Sequence, residues 1–152
     1  MNRLERTINK YESNINFVYK TDMPQGLDAL TVGNDVFLTT RCGFIDTLQH
    51  VGEEIGHVQT TVGNISKYET ADDLNQERKA RQRGYCLIVD LDSIIACYQA
   101  GIRTPWEMSD FFEVSESYMW KAIDTYRIKR GIDFTYKGYK FNLNNGLSMS
   151  KI

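Results

Sequence analysis

Histidine, proline and cysteine are all scarce in this chain, and each scarcity removes options. Of 152 residues, 2 are histidine, 2 are proline and 3 are cysteine. With only His50 and His57 available, a metal site of three imidazoles is excluded. Pro24 and Pro105 leave long stretches unbroken, so the chain should be rich in regular structure. Cys42, Cys86 and Cys97 form no CxxC pair and no even framework of the secreted kind. The simplest reading is reduced thiols in a cytoplasmic protein. Residues Met1-Asn2-Arg3-Leu4-Glu5-Arg6 are charged and lack an apolar signal core. No run of about 18 apolar residues occurs, so no membrane span is expected. An excess of one charge is missing too. The net charge of -2 offers no global basic field for nucleic acid and no acidic solvating tail.

What is present is ordinary globular composition, 41% apolar and 25% charged. The length suits one domain, or one domain with a small appendage, and allows a buried core. Leu4, Ile8, Tyr11 and Ile15 recur at helical spacing and predict a first helix over 2–13. Phe17-Val18-Tyr19 begins a short strand. Thr21 to Leu30, with Pro24 and Gly26, reads as a loop. Val36-Phe37-Leu38-Thr39-Thr40 is β-branched and aromatic, as strands are. Phe44, Leu48, Val51, Ile55 and Val58 then form one helical stripe, a core face, with Gly63-Asn64 as its stop. After a polar stretch from Ser66, Asp72 or Asp73 can cap a helix from about Leu74 to Leu87. Asp90 or Asp92 can cap another, stopped by Gly101. Pro105 opens a short helix, Ser115 caps a longer one that Gly131 ends, and Phe134 to Leu143 alternates around Lys137-Gly138 as a β-hairpin. The tail after Asn144 is expected to fray. The class is α+β, mostly helices around a small sheet. The expected division is 1–102 as a core and 103–152 as a helical pair plus hairpin.

The chemistry concentrates on Glu53-Glu54-Ile55-Gly56-His57. On a helix, residues four apart leave the same face about 5–6 Å apart, so Glu53 and His57 can converge on one ion. Metallopeptidases place HExxH on a helix for this reason, with the end residues on zinc and the internal Glu activating water. Here Glu53 takes the first ligand position and Glu54 the internal one. His50 lies about 10 Å from His57 along the axis by the 1.5 Å rise, so the two cannot share an ion. A third ligand is then sought among carboxylates of another helix, and Glu77 is the candidate. Residues alone leave an alternative open. Glu-Glu-x-x-His also describes a solvated helix face, and Glu77, beside Arg78, Lys79, Arg81 and Arg83, also describes a surface carboxylate in helical ion pairs.

Four segments carry a wider resemblance. They are Asp35-Val36-Phe37-Leu38, then Leu48 to Thr60 with Gly63-Asn64, then Glu77-Arg78-Lys79-Ala80-Arg81, and lastly Trp106 to Tyr126. In this order they resemble the ImmA/IrrE family of metallopeptidases, in the form found in phages and mobile elements, where Glu-Glu-x-Gly-His replaces His-Glu-x-Gly-His. The resemblance implies a zincin-like core with a C-terminal helical pair. It implies Zn2+ on Glu53, His57 and Glu77, with Glu54 as general base. It also implies a zinc metalloendopeptidase that relieves a transcriptional repressor by site-specific cleavage. A non-catalytic anti-repressor that binds such a regulator without hydrolysis is the alternative. The strand at Val36, Phe37 and Leu38 is expected to pair with extended substrate as an edge strand. His50 is either a substrate contact one turn away or a plain surface histidine.

Charge counts against direct DNA contact by the helical pair. From Gly101 to Gly131, Arg103, Lys121, Arg127, Lys129 and Arg130 face Glu107, Asp110, Glu113, Glu116 and Asp124, with no surplus. Trp106, Phe111, Phe112, Tyr118 and Trp120 are expected in the core, and any left exposed would mark a protein partner.

Overall fold

The computed structural model describes residues 1–60 and 71–152, and the side chains of the latter from residue 73 onward. The Gly63-Asn64 stop and the first part of the polar stretch after Ser66 lie outside the described residues. The chain is α+β and divides into two compact units, Met1–Leu87 and Ile88–Ile152. The division expected from sequence falls after residue 102. Among the described residues, no helix is long and apolar enough to cross a membrane.

The first unit opens with helix α1, Arg3–Tyr11. Asn2 caps it by accepting from the Glu5 amide, while Glu5 accepts from the Asn2 amide, so two otherwise orphaned donors are satisfied reciprocally. Strands β1 (Asn16–Lys20), β2 (Ala29–Val32) and β3 (Asp35–Thr39) form a sheet in the order β1-β3-β2. β1 runs parallel to β3, with Val18 opposite Phe37, and β2 runs antiparallel, with Thr31 opposite Val36. Strand β2 replaces part of the expected loop. Gly33, at φ +62°, makes the two-residue turn that folds β2 back on β3.

Helix α2, Phe44–Thr60, lies on this sheet with Leu48, Val51 and Ile55 buried beside Val36 and Leu38 in the core set. The predicted stripe is one turn too long at its start. Phe44 is 67% exposed, and the buried part of the stripe begins at Leu48. Helix α3, Ala71–Ile88, begins earlier than predicted, so Asp72 and Asp73 lie inside it.

The second unit holds α4 (Leu91–Gln99), α5 (Pro105–Phe112) and α6 (Glu116–Arg130). Asp90, Thr104 and Ser115 each accept a backbone amide at the respective N-terminus. Buried Ile94, Met108, Phe112, Met119 and Ile123 form much of its core. The Tyr126 hydroxyl donates to the Val89 carbonyl at 2.7 Å and fastens α6 to the start of the unit. Strands β4 (Asp133–Tyr136), β5 (Tyr139–Asn142) and β6 (Ser148–Lys151) form a second antiparallel sheet. The expected frayed tail is thus a third strand, with Met149 opposite Phe141. The expectation for the aromatic residues is corrected in part. Trp106 is 63% exposed, and Phe111 and Trp120 stay partly exposed, while Phe112 and Tyr118 are buried. Trp106 sits in the first turn of α5, where Met108 and Phe112 already supply the inward face.

Candidate metal centre

Helices α2 and α3 meet backbone to backbone, and glycine is why. A Cβ built on Gly56 would stand 2.1 Å from the Ala80 carbonyl oxygen. One built on Gly84 would stand 2.7 Å from the Gly52 carbonyl oxygen. Residue 56 lies opposite 80 and residue 52 opposite 84, so the helices run antiparallel. Neither approach tolerates a methyl group. The polar side of α2 is therefore an interface, with the side chains flanking the glycines gathered along its margin.

Glu53 and His57 of α2 and Glu77 of α3 converge there. One ligand atom from each lies within 4.8 Å of the others. His57 Nε2 approaches Glu77 Oε2 at 3.0 Å. Arg81, one turn after Glu77, places Nε 3.2 Å from Glu53 Oε1 and 3.3 Å from Glu77 Oε1. Glu77 is only 6% exposed, which removes its reading as a surface carboxylate. Burial is also the leading cause holding its carboxyl above the usual range. The neighbouring Glu53 adds to this, while His57 and Arg81 oppose it.

Glu54 points to a different partner. Thr31 of β2 donates its hydroxyl to Glu54 Oε2. The carboxyl is buried, at 9% exposure, and burial pushes it above the ordinary range. The Thr31 hydrogen bond and His57 pull the other way, and the charges of Glu53 and Glu77 push with burial. Glu54 thus stands within electrostatic reach of the three converging residues without joining them. Arg81 keeps its charge firmly. Partial burial works against it, but Glu53 and then Glu77 and Tyr85 outweigh burial.

The donor set suits a divalent ion. An imidazole nitrogen and two carboxylates are standard zinc donors, and three protein ligands leave one coordination position open. Glu77 Oε2 is buried without a hydrogen bond and stands 3.0 Å from His57 Nε2. A buried carboxylate oxygen without a hydrogen bond, beside an imidazole and a second carboxylate, fits a site that takes a cation.

Other sequence candidates lie elsewhere. Strand β3 is central, with β1 on one side and β2 on the other, so Val36, Phe37 and Leu38 present no free strand edge. Val36 and Leu38 are core residues, and Phe37 lies under the Lys20 ammonium at 5.5 Å. Among the described residues the edge nearest Glu54 is that of β2. His50 faces Asp28, with Nε2 3.6 Å from Oδ2. Thr31 and the glycine contacts escaped sequence reasoning. The usable signals were the run before Gly33-Asn34, which marks a hairpin, and glycines one turn apart in α2 at Gly52 and Gly56. Comparison with family models, with curated proteins and with solved structures finds no match.

Proposed function

We propose that this chain is a zinc-dependent endopeptidase with a zincin-like core, and that its substrate is a transcriptional repressor. The observation that carries the enzyme reading is the convergence of Glu53, His57 and Glu77 around a buried carboxylate oxygen that lacks a donor. The resemblance to the ImmA/IrrE family supports the choice of substrate. In this reading Glu53, His57 and Glu77 hold the ion. Bound zinc supplies a Lewis acid that polarises a carbonyl and acidifies water.

The remaining work falls to the chain's own residues. Glu54 takes the proton of the attacking water and passes it to the leaving amine nitrogen. Burial raises its carboxyl toward the working pH, where a general base is most effective. Thr31 fixes the carboxylate's direction. Because Thr31 lies on β2, the outer edge of that strand is where an extended peptide would pair and bring its carbonyl toward Glu54. Arg81 adjusts the charge. Two carboxylates and a neutral imidazole cancel a divalent ion, and one guanidinium beside both carboxylates restores a unit of positive charge. A site of two imidazoles and one carboxylate has that same balance.

Arg81 also favours a second reading. It already neutralises Glu53 and Glu77 without any ion. A protein kept in that state would be a non-catalytic anti-repressor that binds its regulator through the same fold. Metal content measured after purification without added metal or chelator tests the first reading. One zinc equivalent per chain is expected to be lost in each of Glu53→Ala, His57→Ala and Glu77→Ala, by the site's donor count. Cleavage of a repressor encoded beside the protein, abolished by Glu54→Gln, completes that case. A chain that carries no zinc and gains no thermal stability from added zinc sinks it, and a repressor bound but uncut then selects the second reading.

A further inference from the structure

A second group of donors lies two helical turns before His57, and it shares no residue with the first. Asp28 comes from the segment before β2, Cys42 from the turn after β3, and His50 from α2. One ligand atom from each lies within 4.8 Å of the others, and all three residues are half-buried. We infer that Asp28, Cys42 and His50 form a second metal site, selective for a borderline-soft divalent cation such as zinc or cobalt.

The distances suit such an ion. Bonds of about 2.0–2.3 Å in a tetrahedral arrangement separate neighbouring donor atoms by roughly 3.3–3.8 Å. His50 Nε2 and Asp28 Oδ2 are 3.6 Å apart already. The set needs only small side-chain adjustments to close on an ion.

Asp28 is held from behind. The Asp28 carbonyl accepts the Thr39 amide at 2.9 Å, which pins its backbone to β3. Arg41 Nη2 lies 3.8 Å from Asp28 Oδ1, the oxygen not turned to His50. Arg41 is itself fixed, since its guanidinium donates to the carbonyls of Met23, Pro24 and Leu27 at 2.7, 3.0 and 3.2 Å. Outer-shell contacts of this kind orient ligating carboxylates in known metal sites. One carboxylate oxygen is thus directed by Arg41, and the other is left for the shared centre.

The donor types set the class of ion. Thiolate and imidazole together favour zinc, cobalt or copper over magnesium or calcium, which prefer all-oxygen shells. Asp28 and Asp46 place negative charge beside Cys42. That negative surrounding also attracts a cation. Binding would replace the thiol proton with the ion and release that proton to solvent. Three protein ligands at a half-exposed position leave a place for water or for a donor from a partner.

The sulfur makes the site separable from the first. His50 and His57 are seven residues apart, about 10 Å along the helix axis. Only the second group contains cysteine. The test is anaerobic cobalt titration of the full-length, reduced, metal-free protein. A near-ultraviolet thiolate-to-cobalt charge-transfer band should rise with binding. It should vanish in Cys42→Ser, weaken in His50→Ala and Asp28→Asn, and persist in Cys86→Ser. It should also persist in the Glu53→Ala/His57→Ala double variant, so failure of the first site does not hide the second. Zinc should shield Cys42, but not Cys86, from alkylation, a readout that needs no substitution. Absence of the band in wild type, or its survival in Cys42→Ser, overturns the site. Unchanged Cys42 alkylation with zinc overturns it as well.

Discussion

Arg81 Nε sits 3.2 Å from Glu53 Oε1, an ion pair that crosses from α3 to α2. The same nitrogen reaches Glu77 within its own helix. A guanidinium between two carboxylates does in the metal-free protein what a divalent ion would do in the loaded one. The two cations therefore compete for the same two carboxylates while remaining close enough to act together.

From this competition follows the first prediction. Arg81→Gln should bind zinc more tightly. A charged hydrogen bond contributes about 1.5–3 kcal/mol when buried. Arg81 is more than half exposed, so solvent screening reduces the gain to between a few-fold and about tenfold in Kd. Hydrolysis should fall in the same variant, because the positive charge of the site is lost. Arg81→Lys should keep most of the charge effect but less of the geometry. Zinc titration by calorimetry reads the affinity, and an unchanged Kd would remove Arg81 from the site's charge balance.

The second prediction concerns the helix contact. Gly56→Ala should destabilise the first unit, since its methyl would collide with the Ala80 carbonyl at 2.1 Å. Overpacking costs about 1–3 kcal/mol. The upper part of that range applies because the colliding atoms are backbone. The helices must separate to relieve the clash, and the donors they carry separate with them. Thermal melting and zinc affinity should both decline, whereas Gly43→Ala, with open space around it, should leave affinity unchanged. Normal affinity in a folded Gly56→Ala protein would disprove the glycine contact.

Sequence spacing prefigured part of this site. Glu53 and His57 converge because four-residue spacing on a helix is local geometry. The caps at Asp90 and Ser115 were legible for the same reason. Long-range facts were not. Spacing gave no sign that Gly56 faces Ala80 and Gly84 faces Gly52, because that depends on which helix lies opposite α2. It also left Arg81 as one cation among several on α3. Strand β2 is four residues long and follows a Pro-Gly loop, so its alternation was too brief to stand out. Strand β6, Ser-Met-Ser-Lys, is almost wholly polar, and only its pairing to β5 reveals it. Phe44 and Trp106 look like core residues by type, yet both are mostly exposed.

Glu54→Gln should separate stability from chemistry. The buried carboxyl is raised by desolvation, so the folded state binds its proton more tightly than the unfolded chain does. Its stabilising contribution is therefore present at low pH and lost as pH rises through the raised value. A neutral amide of the same size removes that penalty and still accepts the Thr31 hydrogen bond. The metal-free variant should be more stable at neutral pH by about 0.5–2 kcal/mol, the range typical of relieved functional strain. It should retain zinc and lose hydrolysis. Denaturant unfolding at neutral pH is the check, and equal or lower stability counts against the buried carboxylate as a source of strain.

The last prediction lies in the second unit, where Lys137 Nζ stands 2.9 Å from Asp92 Oδ1 and the Tyr136 hydroxyl donates to the same oxygen at 3.1 Å. The Lys137 contact is the main cause that holds the Asp92 carboxyl below its usual range, and Asp92 in turn raises Lys137. For the acid, the stabilising effect is present above the ordinary value of 3.8 and disappears as pH falls through the depressed one. For the amine, it is present below the ordinary 10.5 and disappears as pH rises through the raised value. Both groups are exposed to solvent, so the effect should shrink with added salt. An NMR titration of the Asp92 carboxyl carbon measures the acid side directly. Its midpoint should rise toward the ordinary value in Lys137→Met, rise less in Tyr136→Phe, and rise in wild type at high salt. A midpoint that Lys137→Met leaves unmoved would mean that the pair does not persist in solution.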